Sequence, residues 1–427
     1  MAGMSANTGA SRLPKPVDPV SPSPAPWRRL ADAAGLTDER GRLSSTIFEE
    51  MSFLAARHGA INLGQGFPDT DGPEILREAL AEAVAGGGNQ YATIAGDPDL
   101  RRGVAEAEER AGRRPPDPET EVTVTAGATE ALAAAMLAHL RPGDEVVVFE
   151  PFYDLYPAVA ALAGAAVRTV PLRPPHFRPD PEDLAAAFTE RTRMVVVNDP
   201  HNPTGTVLGE ETARRVVELA ATRDALILTD SVYEHLHYDA DPVDLAGLPG
   251  AAERTIRVSA ASKTFSVTGW RVGWAIAPAP LTRALRVTKG YLSHSAAAPL
   301  QAAVARALAW AEQGSFYPEL HERYRRQRDV LLEGLSATRL EVCAPEGTFF
   351  AVARVDREAP EWAGTGAQLA QALPERAGVA VVPLSAFATQ ADAHLYADWV
   401  RFAFCKQDHI LSEAARRLHL LQGAAHP

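Results

Sequence analysis

Apolar and polar positions along residues 121–300 alternate in a way that predicts strands separated by helices. Five short runs rich in valine and isoleucine, typical of strands buried on both faces, lie at residues 121–125, 145–150, 193–198, 225–230 and 255–259. Between several of them the apolar spacing is helical, notably over residues 129–140 and 209–224. Strands that alternate with helices favour a parallel sheet covered on both faces, and hence an α/β fold.

The chain on either side of this region has other patterns. Residues 45–59 have helical spacing, and beyond residue 300 helices alternate with three apolar segments, which predicts a smaller α+β domain. The first 26 residues are rich in proline and serine and predict a disordered tail. The predicted parts are a tail (1–26), an N-terminal segment of the small domain (27–60), a large cofactor-binding domain (61–305) and a C-terminal small domain (306–427).

Composition narrows the class of protein. The net charge of −12 argues against a general nucleic-acid surface. Two cysteines are too few for a disulfide scaffold or a cysteine-rich metal site, and they fit a reducing compartment. The sequence has neither an apolar run of about 18 residues for a membrane span nor the apolar core of a signal peptide. These observations predict a cytoplasmic protein with no metal, no nucleic-acid partner and no membrane contact.

Polar or aromatic residues follow each of the five predicted strands. In open α/β sheets, ligands bind beyond the carboxyl ends of the strands. In chain order these ends supply a helix start, a ring, two amides, a carboxylate with a phenol, and an amine: Gly127, Ala128 and Thr129; Tyr153; Asn198 and Asn202; Asp230 and Tyr233; Lys263. Taken singly, Asp230 is also explained as a helix N-cap and Lys263 as a surface lysine. Their occurrence at successive strand ends predicts one shared site.

The amine and the carboxylate are the groups that pyridoxal phosphate chemistry requires. Lys263 would form an imine with the cofactor aldehyde, the internal aldimine. Asp230 would pair with the pyridine nitrogen and keep it protonated, so that the ring accepts electrons when a substrate C–H bond breaks. The predicted cofactor is therefore pyridoxal 5'-phosphate.

The remaining groups would hold the same cofactor. Asn202 and Tyr233 would hydrogen-bond its phenolic oxygen, and Tyr153 would cover one face of its ring. The backbone donors of residues 127–129, at a helix start, would hold the phosphate. Arg271, eight residues after the lysine, would add its fixed positive charge.

Four motifs occur in order along the chain: NDPHNPTG, DSVYEHL, SKTFSVTGWRVGW and VRFAFCK. Together they resemble those of the class I/II aminotransferases of fold type I, and most nearly the branch of kynurenine/glutamine transaminases and N-succinyldiaminopimelate aminotransferases. Stretches such as INLGQGFPD and VTVTAGATEAL extend the likeness over residues 45–420. The resemblance implies a large domain with a mainly parallel seven-stranded sheet between helices, plus a smaller α+β domain.

The resemblance also implies roles for residues beyond those already named. Arg401 would grip the substrate α-carboxylate with its two-pronged guanidinium. The backbone at Gly66 would approach the same carboxylate, and Asn198 and Asn202 would line the substrate side. Tyr91 matches a tyrosine that a partner subunit lends to the cofactor phosphate. A homodimer with active sites at its interface is therefore expected.

Some positions depart from the family pattern. Ala260 stands where a serine or glycine is frequent, so that one phosphate hydroxyl is either missing or supplied by Ser259 or Ser262. Ser231 replaces the usual glutamate of the DSVYEHL motif, and His294 stands where relatives commonly have an aromatic side chain. These departures bear on side-chain specificity and leave the core chemistry as expected.

The predicted activity is transfer of an amino group between an L-amino acid and a 2-oxo acid, which the resemblance implies is 2-oxoglutarate, with Lys263, Asp230 and Tyr233 as catalytic residues. A carbon–sulfur or other β/γ-elimination lyase would use the same site, and the sequence leaves that alternative open. A non-catalytic sensor of the kind joined to a DNA-binding domain is disfavoured by the short proline- and serine-rich segment before the fold. A dinucleotide-binding dehydrogenase is disfavoured because no helix follows LGQGFPD.

Overall fold

The structure is a computed structural model that describes residues 25–38, 40–356 and 364–423. The predicted tail lies outside the described residues except for Ala25 and Pro26, which precede and begin the first helix. Of the described helices, none is both long and apolar enough to span a bilayer.

The described residues form fourteen α-helices, several of which begin at a side chain that caps free backbone N–H groups, as Thr46 does in a capping box with Glu49. In chain order they are α1 (Pro26–Ala33), α2 (Ile47–His58), α3 (Glu74–Ala85), α4 (Pro98–Arg110), α5 (Gly127–His139), α6 (Leu155–Ala163), α7 (Pro181–Ala187), α8 (Glu210–Thr222), α9 (Ala261–Thr264), α10 (Ala279–Leu292), α11 (Ala298–Ala311), α12 (Phe316–Ser336), α13 (Gly366–Arg376) and α14 (Asp408–Gly423).

The strands of the described residues form one large sheet and two smaller ones. In chain order they are β1 (Ile61–Asn62), β2 (Val122–Thr125), β3 (Glu145–Glu150), β4 (Ala166–Arg173), β5 (Arg178–Pro179), β6 (Thr192–Asn198), β7 (Leu226–Asp230), β8 (Thr255–Ala260), β9 (Gly273–Ile276), β10 (Glu341–Cys343), β11 (Phe350–Arg354), β12 (Val379–Ala380), β13 (Val382–Pro383) and β14 (Trp399–Ala403).

The large sheet has the order β2-β9-β8-β7-β6-β3-β4-β5. Six strands run in the same direction, while β9 lies antiparallel between β2 and β8, and β5 lies antiparallel at the far edge. All five strands predicted from apolar runs are present, each end within one residue of its predicted position. The sheet has eight strands where seven were expected, because the chain after β4 folds back as a hairpin and adds the two-residue β5.

Helices cover both faces of this sheet. Successive residues of a strand point to opposite faces, so Val147 of β3 belongs to one apolar core while Val146 and Val148 belong to another. Helix α8 packs into the first core and α5 into the second. Each fully buried valine contributes roughly 1.5–3 kcal/mol through removal of apolar surface from water. The α/β architecture expected from the sequence is thereby confirmed.

A second, antiparallel sheet comes from the C-terminal third of the chain and has the order β10-β11-β14-β13. Arg401 lies in β14, opposite Val352 of β11 on one side and Val382 of β13 on the other. The short strand β1 pairs in parallel with β12, and the N–H of Ala403 donates to the carbonyl of Leu63. The segment around residues 61–66 therefore lies between the two sheets, where it reaches both Arg401 and the large sheet.

Candidate active site

A cavity of about 230 Å³ lies where residues following β2, β3, β6, β7 and β8 meet residues of the second sheet. Most of the predicted site residues line it: Gly66, Ala128, Thr129, Tyr153, Asn198, Asn202, Asp230, Tyr233, Ser262, Lys263, Arg271 and Arg401. The residues from Ala128 to Lys263 in this list come together because they lie at or just after the carboxyl ends of parallel strands.

Lys263 lies on the short helix α9, directly after β8. Its Nζ donates a hydrogen bond to the carbonyl oxygen of Gly66 at 3.1 Å. The rings of Phe349 and Tyr233 lie 5.3 and 5.7 Å from the same atom. Burial disfavours the charged ammonium and lowers the pKa of Lys263 to about 8. The amine is therefore a nucleophile held in apolar surroundings, unlike a solvated surface lysine.

Asp230 ends β7 and lies opposite Asn198 of β6 in the sheet register. Its Oδ2 accepts a hydrogen bond from the hydroxyl of Tyr156 at 2.7 Å, whereas its buried Oδ1 has no hydrogen-bond partner among the described residues. Burial raises the pKa of Asp230, and the Tyr156 hydrogen bond opposes that rise. The free Oδ1 can accept a hydrogen bond from a ligand that enters the cavity.

Two asparagines fix the backbone around this carboxylate. The Nδ2 of Asn198 donates to the carbonyl oxygen of Asp230 at 2.9 Å, and its Oδ1 accepts from the backbone N–H of Asn202 at 2.8 Å. The Oδ1 of Asn202 in turn accepts from Nη1 of Arg401 at 2.9 Å. A chain of hydrogen bonds thus links the carboxylate of the large sheet to the guanidinium of the second sheet.

The start of helix α5 meets Arg271 at one end of the cavity. Gly127 has a φ of +77°, and a Cβ at this position would lie 2.4 Å from Nη2 of Arg271. That Nη2 donates to Oγ1 of Thr129 at 3.2 Å, and Nη1 donates to the carbonyl of Thr268 at 3.1 Å. The buried Oγ of Ser262 has no hydrogen-bond partner among the described residues. A helix N-terminus, a guanidinium and free hydroxyl groups form an anion site.

Arg401 is 2% exposed, and its guanidinium lies 3.9 Å from the centre of the Phe350 ring and 4.6 Å from that of Phe387. Besides Asn202, it donates from Nη2 to the carbonyl of Gly64 at 2.8 Å. Among the described residues no carboxylate lies within 4 Å of it, and burial lowers its pKa to about 10. A buried guanidinium with no acidic partner in this part of the chain is suited to a carboxylate from a ligand.

The profile of the family described as "Aminotransferase class I and II" matches residues 58–418. The chain belongs to this family. It is 45% identical over 387 residues to the probable N-succinyldiaminopimelate aminotransferase DapC of Mycobacterium tuberculosis, an alignment that covers 88% of this chain and 96% of DapC. It is 41% identical over 381 residues to the methionine aminotransferase of Escherichia coli, covering 89% and 97% of the two chains. These relatives confirm the expected family.

The fold agrees with these sequence matches. The crystal structure of YbdL from Escherichia coli, reported with a methionine aminotransferase function, superimposes with a TM-score of 0.86 at 39% identity. The superposition covers 95% of this chain and all of that one. The fold type I class expected from the sequence is confirmed, and this aminotransferase is similar to both relatives over nearly the whole of their lengths.

The departures from the family motifs can now be placed in this aminotransferase. Ala260 lines the cavity, while the hydroxyl of Ser259 donates to the carboxylate of Glu234. Of the two serines considered as replacements, Ser262 therefore has the free hydroxyl in the cavity. Ser231 does not line this cavity, and its hydroxyl donates to that of Thr229.

Two predicted residues do not line the cavity of their own chain. Gly127 lies behind Arg271 rather than in the lining. Tyr91 is 88% exposed and packs edge to face on the ring of His294, with 5.4 Å between centroids. The described chain alone therefore does not bring Tyr91 to the site.

Several functional positions were not predicted from the sequence. Phe48, Leu132, Val232, Thr268 and Phe350 also line the cavity. The valine of the DSV segment, Val232, and the second aromatic of GTFF, Phe350, carried only apolar signals, which also fit a core. Tyr156 lies three residues after Tyr153 in the stretch EPFYDLY, and this short spacing was the available signal that the two rings lie close together.

The lining has a charge balance that favours anions. It carries three cationic side chains, Lys263, Arg271 and Arg401, against one carboxylate, Asp230. The free oxygen atoms at Asp230 and Ser262 fit a ring nitrogen and a phosphate, respectively. The residues present therefore fit pyridoxal phosphate together with a carboxylate-bearing substrate.

Proposed function

We propose that this aminotransferase binds pyridoxal phosphate in the cavity and moves an amino group between an L-amino acid and a 2-oxo acid. The observation that carries the proposal is the convergence of a half-buried amine, a buried carboxylate with a free oxygen and a buried free hydroxyl on one cavity: Lys263, Asp230 and Ser262. When bound, the cofactor supplies an aldehyde and a ring that accepts electrons.

The side chains around the cavity divide into those that hold the ring and those that hold the phosphate. Asp230 would bind the ring nitrogen, Asn202 and Tyr233 would bind the phenolic oxygen, and Tyr153 would cover a ring face. Burial raises the pKa of Tyr233 well above its ordinary value, so its hydroxyl remains a proton donor. The N–H groups of residues 127–129 and the Ser262 hydroxyl would bind the phosphate, and Arg271 would add its charge.

Lys263 has two roles in the proposed reaction. Its amine would be the nucleophile for the cofactor aldehyde, and its lowered pKa favours the neutral, nucleophilic form near neutral pH. Its Nζ would also act as the general base and acid that holds and moves the proton of the substrate α-carbon. The aromatic rings of Phe349 and Tyr233 around Nζ exclude water and keep the pKa of this base low.

Arg401 selects α-carboxylates in this proposal. Nε has no hydrogen-bond partner among the described residues, and Nη1 and Nη2 each use one N–H group, on Asn202 and Gly64. The remaining N–H groups of the charged guanidinium would bind the substrate carboxylate. A Cβ at position 66 would lie 2.4 Å from Phe350, so only glycine allows the chain to pass this close to the site. We propose 2-oxoglutarate as the acceptor and an L-amino acid of the kinds named for the relatives as the donor.

A homodimer would complete the site. Tyr91, Tyr291 and Leu292 are exposed, and Gly290 lies against Ile94, so these side chains form an apolar surface away from their own cavity. In a symmetric dimer this surface would present Tyr91 to the partner's phosphate site. We also propose a cytoplasmic location, because the two free cysteines suit a reducing compartment. We further propose that the N-terminal segment of the small domain begins at residue 27, the large domain at residue 61 and the C-terminal small domain at residue 306.

The decisive experiment compares two lysines, Lys263 in the cavity lining and Lys289 outside it. Lys263→Ala should abolish transamination and also abolish covalent trapping of the cofactor by borohydride, read by peptide mass spectrometry. Lys289→Ala is the matched control, because Lys289 is buried and also donates to a backbone carbonyl, that of His294 at 2.8 Å, but lies outside the cavity. Retained turnover in Lys263→Ala would contradict the mechanism.

A second assay separates transfer from elimination. The relatives reported above are named as aminotransferases, which supports transfer. The purified protein should therefore convert 2-oxoglutarate to glutamate with a panel of amino donors. Release of pyruvate or 2-oxobutyrate in the absence of any amino acceptor would instead identify an elimination lyase.

A further inference from the structure

The two carboxylate oxygens of Asp230 have different surroundings. Asp230 lines the cavity, and its Oδ1 has no hydrogen-bond partner among the described residues, while its Oδ2 accepts the hydrogen bond from the hydroxyl of Tyr156 at 2.7 Å. The residue as a whole is 5% exposed. Desolvation of this kind disfavours the ionised carboxylate unless hydrogen bonds compensate. The ionisation of Asp230 therefore depends on the groups behind it.

Tyr156 is built into helix α6 and the apolar core on one face of the large sheet. Its ring packs edge to face against Tyr153, with 5.8 Å between centroids, and it does not line the cavity. Burial raises the pKa of Tyr156 well above its ordinary value, so the hydroxyl keeps its proton. A protonated phenol beside a carboxylate donates to it, which stabilises the charged form.

We propose that Tyr156 is a positioning residue, whose hydroxyl keeps the Asp230 carboxylate ionised and turned so that Oδ1 faces the cofactor ring nitrogen. The inference rests on the proposed function, since it assigns to Tyr156 an effect on that same cofactor. It adds a residue behind the site that has no contact with substrate or cofactor. Asn198 fixes the Asp230 backbone from the neighbouring strand, so the role of Tyr156 is confined to the carboxylate itself.

The test is Tyr156→Phe, which removes one oxygen atom and leaves the ring in the core. Apoprotein is titrated with pyridoxal phosphate and, separately, with an analogue in which carbon replaces the ring nitrogen. Tyr156→Phe should weaken pyridoxal phosphate binding about tenfold, the factor expected for one hydrogen bond to a charged group. The affinity for the carbon analogue should be the same as in the wild type.

The control is Tyr396→Phe. The hydroxyl of this buried tyrosine also donates a 2.7 Å hydrogen bond, but to the backbone carbonyl of Glu150. Tyr396→Phe should change neither the affinity for pyridoxal phosphate nor the affinity for the carbon analogue. Equal weakening of both cofactors in Tyr156→Phe, or no weakening of pyridoxal phosphate, would overturn the inference alone. A wild-type apoprotein that binds no pyridoxal phosphate would overturn the proposed function and the inference with it.

Discussion

Replacing Arg401 by lysine tests how the substrate carboxylate is held. The change keeps the positive charge but removes the planar fork that lies 3.9 Å from Phe350 and donates to Asn202 and Gly64. A hydrogen bond to a charged group contributes about 1.5–3 kcal/mol. Because about 1.4 kcal/mol corresponds to a factor of ten, the amino acid concentration for half-saturation should rise about 10- to 100-fold. We expect the maximal rate to change much less.

The assay is the half-reaction, followed through the cofactor absorbance as the concentration of amino acid is varied. An amine that lacks the α-carboxylate should react equally poorly with the wild type and with Arg401→Lys. Arg101→Lys is the matched control, because Arg101 is also buried but pairs with Glu119 outside the cavity. Unchanged half-saturation, or an equal loss for the amine without a carboxylate, would refute the role assigned to Arg401.

Three further predictions concern the amine and the phosphate end. Because burial lowers the pKa of Lys263 to about 8, its neutral fraction grows as pH rises through that value, so the rate of covalent cofactor capture by apoprotein should rise to a plateau above pH 8. A rate that is still rising steeply at pH 10 would contradict this. Ser262→Ala should weaken apoprotein binding of pyridoxal phosphate but not of phosphate-free pyridoxal, whereas Ser259→Ala, whose hydroxyl binds Glu234, should leave the selectivity between the two unchanged. Gly127→Ala places a Cβ 2.4 Å from the Arg271 guanidinium at a φ of +77°. It should therefore lower both the affinity of the apoprotein for pyridoxal phosphate and the thermal midpoint of unfolding. An unchanged midpoint would show that the turn relaxes freely.

The large sheet was predictable where strands are buried on both faces. Strands β3, β6 and β7 correspond to continuous apolar stretches, which can be recognised as strands without knowledge of the elements that pack against them. Strand β4 was missed because its residues are largely exposed or half-buried and include Pro171. Strand β9 was missed because it has only four residues between a turn and a helix.

The candidate site likewise contains residues that could be predicted from the sequence and residues that could not. Asp230 and Lys263 follow recognisable strands, so the rule for parallel sheets places them at one edge. Phe48 and Phe350 reach the cavity from segments far away in the sequence, and only the packing of the second sheet brings them there. The role of Tyr156 depends on a hydrogen bond to a residue 74 positions later, and no local pattern indicates such a pair.

Residues 261–272 leave β8 and return in β9, and these two strands pair antiparallel, with Ala260 opposite Gly273 and Ser259 opposite Trp274. This loop carries both the amine of Lys263 and the guanidinium of Arg271, and the pairing of β8 with β9 holds its two ends together. The spacing between Lys263 and Arg271 is thus set by the length of one loop and is independent of the longer crossovers elsewhere in the sheet. For protein engineering, this means that an insertion of a single residue between Lys263 and Arg271 would change the distance between the two charges, whereas a change in length elsewhere in the sheet would leave it intact.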